Sequence, residues 1–266
     1  MSGLVWLDGR IGPPAEARID PGDRGFLLGD GIFETMRVVN GHPPLIELHL
    51  DRLAEGARLL RLSPPHRREL CQAITETIAA NRLRDGALRL TLTRGPGPRG
   101  LLPPEETQET VLIATFPSTP TLPAVNLHIS RQIRHGDTIL SRVKTLNYLP
   151  SILARMEAQD AGADDALLLN QAGRLACASA ATLVALRGDR LVTPPLSDGA
   201  LPGIGRRRLL ASGLCIEQEI ARDLPDVRAA WLLNALSLRV VRSVGHRQFS
   251  PDRDWTARIR QCAHPA

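Results

Sequence analysis

Apolar and polar residues alternate in short, turn-bounded runs over the first third of the chain, then fall at helical spacing. "GLVWLDGRI" and "GIFETMRVVNG" are apolar-rich segments that close on Asp-Gly and Asn-Gly, the dipeptides that favour tight hairpin turns, and each predicts a strand. In "ELHLDRLAEGARLLRL" the apolar positions Leu48, Leu53, Ala57 and Leu60 predict one face of a helix, and a second helix is expected from Arg67 to Asn81. The strand "GALRLTLTRG", the Gly/Pro loop "RGPGPRGLLPPEE" and the strand "VLIATFPS" complete this part. "PSTPTLP" reads as an extended linker, because alternating prolines disfavour compact backbone. The expected organisation is a smaller domain over 1–116, a linker over 117–123 and a larger domain over 124–266.

The second part opens on the strand "AVNLHIS" and continues to a helix, "LPSILARMEAQDAG", stopped at Gly162. "DALLLNQAGRLACASAATLVALRGDRLVTPP" alternates apolar runs with glycine turns and predicts a sheet meander. A helix is expected to follow "LPGIGRR", and "AAWLLNALSLRVV" reads as a buried strand with its turn. Strands interleaved with helices in both parts predict an α/β or α+β class with two domains.

Composition sharpens this picture at one point. Of the 33 basic residues only Lys144 is lysine. Arginine replaces lysine wherever a long-stemmed cation suffices, but guanidinium stays protonated and forms no imine. A chain that has shifted to arginine retains a lysine where a neutral amine does chemistry; survival at a tolerant surface position is the alternative, and both stand at this stage. The net charge of +5 invites nucleic acid as a partner, yet the arginines are scattered and one tyrosine, three tryptophans and four phenylalanines offer little for stacking on bases. The Arg206–Arg208 cluster reads as a solvated turn or a small-anion site. No apolar run approaches the length of a membrane span, and the first residues lack the pattern of a secretion signal. Four widely separated cysteines show neither metal spacing nor a disulfide framework, so a reduced, cytoplasmic setting is expected.

Five segments, "DRGFLLGDGIFETMRVVNG", "HLDRL", "RGPGPRG", "VKTLNYLPSILARMEAQDAGADDALLLNQAG" and "TPPLSDGALPGIGRR", resemble in order and spacing the class IV aminotransferases. These are fold-type IV enzymes that use pyridoxal 5'-phosphate, with a two-domain α/β (α+β) architecture like that of D-amino-acid aminotransferase. The resemblance implies that Lys144 forms a Schiff base with the cofactor aldehyde and acts as base and acid. It places Arg52 on the cofactor phosphate; without it, Arg52 is a helix-face arginine paired with Glu55 or Asp51. Gly203, Ile204 and Gly205 match the phosphate turn, although relatives usually carry threonine where Gly205 stands; taken alone the segment is a Pro-Gly turn and a helix start. Asn234 falls where relatives supply a phosphate-side polar group, or is a turn asparagine. Tyr148 lies beside the family's cofactor-contacting tyrosine, with core packing as its other reading. Arg99 matches a substrate-side arginine, or faces solvent on its loop. Thr35 lies near a threonine assigned as proton donor.

One departure bears on the chemistry. Relatives carry glutamate where Cys177 stands, and that carboxylate keeps the cofactor's ring nitrogen protonated. A thiol holds no permanent negative charge, so the ring becomes a weaker electron sink. Thr182 likewise replaces an asparagine. Cys177 favours elimination over transamination; "RGPGPRG" and the "NAL" near residue 234 resemble 4-amino-4-deoxychorismate lyase, "KTLNYLPSILARMEA" and "GDGIFET" resemble D-amino-acid and branched-chain transaminases just as closely, and a homolog with little turnover is a further alternative. The family also implies a small-molecule amino substrate and a homodimer.

Overall fold

The computed structural model describes residues 3–117 and 123–265. Most of the expected linker, 118–122, lies outside the described residues. By spatial contact the chain forms two compact units. One takes in the residues before 118 together with Val143–Asn147; the other takes in 123–142 and Tyr148–Pro265.

In the first unit β1 (Val5–Leu7), β2 (Arg10–Gly12), α1 (Arg24–Leu28), β3 (Gly31–Val38), α2 (Ile46–Leu60), α3 (Arg67–Ala80), β4 (Gly86–Thr93) and β5 (Thr110–Pro117) follow in order. The strands form an antiparallel sheet in the order β2-β1-β5-β4-β3. Asp8 and Gly9 both take positive φ, which suits the tight turn of the β1–β2 hairpin. Asn40-Gly41 also turns with positive φ, but leads through a single Val39–His42 bridge into α2 rather than into a paired strand. Alternation along β3 and β4 sends Ile32, Met36, Val38, Leu88, Leu90 and Leu92 into a core with Leu50, Leu53, Ala57, Leu70 and Ile74 from the helices. The buried stripe of α2 is therefore Leu50, Leu53 and Ala57 with His49, one step from the face expected at Leu48.

In the second unit β6 (Val125–Ile133), α4 (Ile139–Arg142), α5 (Leu149–Asp160), β7 (Asp165–Leu169), β8 (Leu175–Ala178), β9 (Thr182–Arg187), β10 (Arg190–Thr193), α6 (Ile204–Ala211), β11 (Cys215–Glu217), β12 (Val227–Leu233), β13 (Leu238–Val244), β14 (Arg247–Gln248) and α7 (Arg253–Ala263) follow. The sheet order is β11-β10-β9-β12-β13-β6-β7-β8, with β14 on β13. The expected meander is thus corrected: β7 pairs β8 and β9 pairs β10, but β8 and β9 are not neighbours in the sheet. Ser179 explains the break. Its N–H donates to Ala166 O (3.0 Å) and its hydroxyl to Asp165, so it stays with β7 while the chain turns away. Both faces of this sheet are covered, which is why every residue of "DALLL" is buried and the four after Asp165 are apolar. Leu127, Leu167, Leu183, Leu232 and Val241 pack on one side; on the other, Val184, Leu186 and Trp231 meet Leu209 of α6 and Ile259 of α7.

Gly136 and Gly199 bring two loops of this unit together. A Cβ at Gly136 would lie 1.9 Å from Ser197 O, so only glycine permits this approach. Arg134 seals the junction by donating from Nε to Gly199 O (3.0 Å) and from Nη2 to Ser141 O (3.1 Å). Among the described residues no helix is long and apolar enough to cross a membrane.

Candidate active site

Lys144 belongs to a short stretch stitched to the start of β3. Phe33 N–H donates to Lys144 O (3.0 Å), Leu146 N–H donates to Gly31 O (3.0 Å), and Thr145 bridges Ile32. These bonds explain why Val143–Asn147 clusters with the first unit although it lies beyond the linker in sequence. The half-buried Lys144 side chain returns over the Phe33 ring, with Nζ 4.2 Å from the ring centroid. Arg89 lies over the same ring at 3.6 Å, and its Nε donates to Thr91 Oγ1 (3.2 Å). Antiparallel register sets Thr35 directly opposite Arg89 and Phe33 opposite Thr91. One face of β3 and β4 therefore gathers an amine, a guanidinium and two threonine hydroxyls. Lys144 and Thr35, both singled out in the sequence, lie here with Arg89, which was not singled out. Its signal was present, since Arg89 is a charge on the apolar strand "GALRLTLTRG" in the same alternation as Thr91. Arg99 is elsewhere, exposed on a loop whose Gly100 and Leu101 carbonyls accept from Arg24 (2.9 and 2.8 Å).

The other face of β3 carries Glu34, which is buried. Arg52 of α2 forks onto it, Nε to Oε1 at 2.8 Å and Nη2 to Oε2 at 2.6 Å, while His49 Nδ1 lies 2.6 Å from Oε2. Burial raises the Glu34 carboxyl, but the Arg52 charge and the hydrogen bonds from Arg52 and His49 outweigh it and hold the group down to about 2. Neither helix-face partner considered for Arg52 is taken up by it in these bonds: Asp51 pairs with Arg67 and Glu55 with Arg58.

In the second unit Gly203 is the N-cap of α6, with no side chain capping its first-turn N–H groups, and Ile204 and Gly205 follow as its first residues. A Cβ at Gly203 would lie 3.0 Å from Thr182 Oγ1. Arg206 corrects the expectation of a solvated cluster: it is buried, its Nη2 donates to Pro194 O (3.0 Å) and pairs with Glu217, and its Nε has no hydrogen-bond partner among the described residues. Helix packing against β10 and β11 draws it inward, whereas Arg207 is exposed. Asn234 caps its own turn, its Oδ1 accepting from Leu236 and Ser237 N–H (both 2.9 Å), and its Nδ2 donates to Ala180 O (3.4 Å). Tyr148 is half-buried as the N-cap of α5. Cys177 is half-buried on β8, where burial pushes its thiol up, with Arg134 opposing and Asp165 adding to that shift. Asp165 is itself committed to Arg155 (2.7 Å), so it is no replacement for a carboxylate at 177.

A match to the profile of the amino-transferase class IV family covers residues 31–244. The chain belongs to the class IV aminotransferase family. It is 33% identical over 206 residues to a putative branched-chain-amino-acid aminotransferase of Methanocaldococcus jannaschii, covering 76% of this chain and 72% of the relative. Its fold matches the branched-chain aminotransferase of Thermoproteus uzoniensis with norvaline (TM-score 0.88, 27% identity, 97% and 94% of the two chains). It also matches 4-amino-4-deoxychorismate lyase from Pseudomonas aeruginosa (TM-score 0.82, 30% identity, 97% of each chain). Members of this class IV family are enzymes dependent on pyridoxal 5'-phosphate. Each unit, taken by itself, holds a group that suits this cofactor: the amine of Lys144 for its aldehyde in the first, and a helix N-terminus without a side-chain cap for its phosphate in the second.

Proposed function

We propose that this class IV enzyme is a lyase that converts 4-amino-4-deoxychorismate to 4-aminobenzoate and pyruvate. The observation that carries the reading is Cys177, a neutral thiol where transaminase chemistry calls for a fixed carboxylate. The match in length to the Pseudomonas aeruginosa lyase, 97% of each chain, supports it.

Lys144, Arg52, Tyr148, the Gly203–Ile204–Gly205 turn, Asn234 and Cys177 are the residues assigned to the cofactor. When bound, the cofactor supplies an aldehyde for the substrate amine and a conjugated ring that takes up negative charge. Lys144 Nζ removes the proton from the carbon that bears the substrate amino group. The neighbouring C–O bond breaks, its electron pair leaves with the enolpyruvyl fragment, and that fragment takes a proton to become pyruvate. The six-membered ring becomes aromatic, which drives the reaction without a strong electron sink. Thr35 is assigned the delivery of that proton, and Arg89 is assigned to a substrate carboxylate, which a guanidinium can meet with paired N–H donors. Arg99 is assigned to the second carboxylate. Glu34 orients Arg52 through its two-point contact.

The second reading, a transaminase for branched-chain or D-amino acids, draws on the 33% identity to the Methanocaldococcus jannaschii relative. On either reading we place the enzyme in the cytoplasm, in keeping with its four free cysteines. We also assign it a homodimer; the exposed apolar residues Leu149, Ile152, Leu153 and Met156 of α5 suit a second copy.

The test supplies purified protein with pyridoxal 5'-phosphate, then with aminodeoxychorismate or with pairs of amino and keto acids. Release of pyruvate and 4-aminobenzoate is expected; amino exchange without those products establishes the transaminase instead. Lys144→Ala should abolish the visible absorbance of the bound cofactor. Cys177→Glu should accelerate the transaminase half-reaction, and an unchanged rate removes the electron-sink argument.

A further inference from the structure

The last helix of the second unit reaches back to the turn that holds Asn234. α7 is fixed from two elements: Trp231 Nε1 of β12 donates to Thr256 Oγ1 (2.8 Å), and Arg208 Nε of α6 donates to Cys262 O (2.6 Å). Its Ile259 and Ala263 join Trp231 and Leu209 in one core. His264 closes the helix, its N–H donating to Arg260 O (2.8 Å), and its ring Nε2 lies 2.7 Å from Asn234 O. A carbonyl oxygen carries no proton, so Nε2 is the donor.

That bond decides how the peptide between Asn234 and Ala235 faces. Three of the four N–H groups of residues 234–237 are used inside the turn. Asn234 N–H donates to Ser237 O (3.0 Å), and those of Leu236 and Ser237 donate to Asn234 Oδ1 (both 2.9 Å). Ala235 is half-buried, and its N–H has no hydrogen-bond partner among the described residues. In a trans peptide the C=O and N–H point in opposite directions. With its carbonyl turned to His264, this peptide presents the Ala235 N–H on the side away from the imidazole. A half-buried amide without a partner is a ready donor to an anionic oxygen.

We infer that His264 is a positioning residue: by holding Asn234 O, it fixes the Ala235 N–H as a donor to the phosphate of the cofactor. This rests on the assignment of the Asn234 turn to the cofactor, and it is independent of the choice between lyase and transaminase.

The test uses the full chain freed of cofactor and two probes, pyridoxal 5'-phosphate and pyridoxal, which share the aldehyde and differ in the phosphate. His264→Phe keeps a ring and removes the donor, whereas His264→Gln supplies an amide N–H in place of Nε2. His264→Phe should weaken binding of the phosphorylated probe roughly fivefold, the worth of one hydrogen bond, and that of pyridoxal by less than about twofold. His264→Gln should restore the preference, and His264→Ala supplies the same comparison should the phenylalanine variant misfold. Without either probe, amide hydrogen exchange at Leu236 and Ser237 should quicken in His264→Phe and slow again in His264→Gln. A residue that only held the fold together would weaken both probes alike, so equal loss on the two overturns the inference, as does unchanged exchange in the turn. Asn234→Ala opens the turn itself and separates two failures. Loss of phosphate preference in Asn234→Ala but not in His264→Phe overturns the role of His264 and leaves the assignment of the turn standing. An unchanged preference in both removes that assignment and the inference with it.

Discussion

At position 205 a Cβ would lie 2.9 Å from Leu233 Cδ2 and 3.0 Å from its Cγ. Leu233 occupies the space that the threonine usual at this position in relatives needs, so the glycine and the leucine belong together. Gly205→Thr should destabilise the protein by about 1–3 kcal/mol through overpacking. Leu233→Val in the same chain should recover part of that, and denaturant unfolding of the two single variants and the double variant measures the coupling. This pairing was not legible in the sequence, where the rest of α6, β11 and most of β12 lie between positions 205 and 233. Lys144 was legible because it alone among the basic residues is a lysine. Arg89 escaped notice because one arginine among 32 carries no mark until its strand is aligned beside Phe33.

Between β3 and α2 the decisive contact is the Glu34–Arg52 fork with His49 sharing one oxygen. The helical spacing of "HLDRL" placed His49 and Arg52 on one element, and the alternation of "GIFETMRV" placed Glu34 on a strand. Which strand face meets which helix face depends on packing, and spacing alone could not say. Glu34→Gln keeps the shape and removes the charge opposite Arg52. Breaking such a buried pair should cost about 3–5 kcal/mol and weaken cofactor retention as Arg52 loses its orientation. Denaturant midpoints and cofactor dissociation rates of the two proteins check both effects.

Across the whole molecule, the longer strands and α2, α3 and α5 followed from apolar periodicity, while α1, α4, α7 and the connectivity of the larger sheet did not. "ACASAATL" looks like a hairpin on paper, and the ties of Ser179 to Asp165 and Ala166 direct its two strands to separate places in the sheet. The unit boundaries also needed the fold, since backbone bonds to β3 carry Val143–Asn147 across the sequence divide. Acid sensitivity belongs to this scale. Glu34 and Glu157 are each held down from 4.5 to about 2, Glu34 by Arg52 and His49 against its burial and Glu157 by Gln132, Ser130 and the Arg131 N–H. A carboxylate depressed in the folded state contributes stability that is complete above its ordinary value and is lost as pH falls. The thermal midpoint should therefore drop as pH falls from 4.5 toward 2, and less steeply in Glu34→Gln. A midpoint that is flat over this interval would count against the Glu34 assignment.

The half-buried place of Lys144 against Phe33 has a practical outcome. Acylating reagents that spare guanidinium find no other lysine on this chain, so apart from a terminal α-amine, amine-coupled immobilisation or lysine-directed cross-linking would fall on Lys144, the residue proposed to hold the cofactor. Attachment chemistry for biosensors or supports is better aimed at the exposed carboxylates.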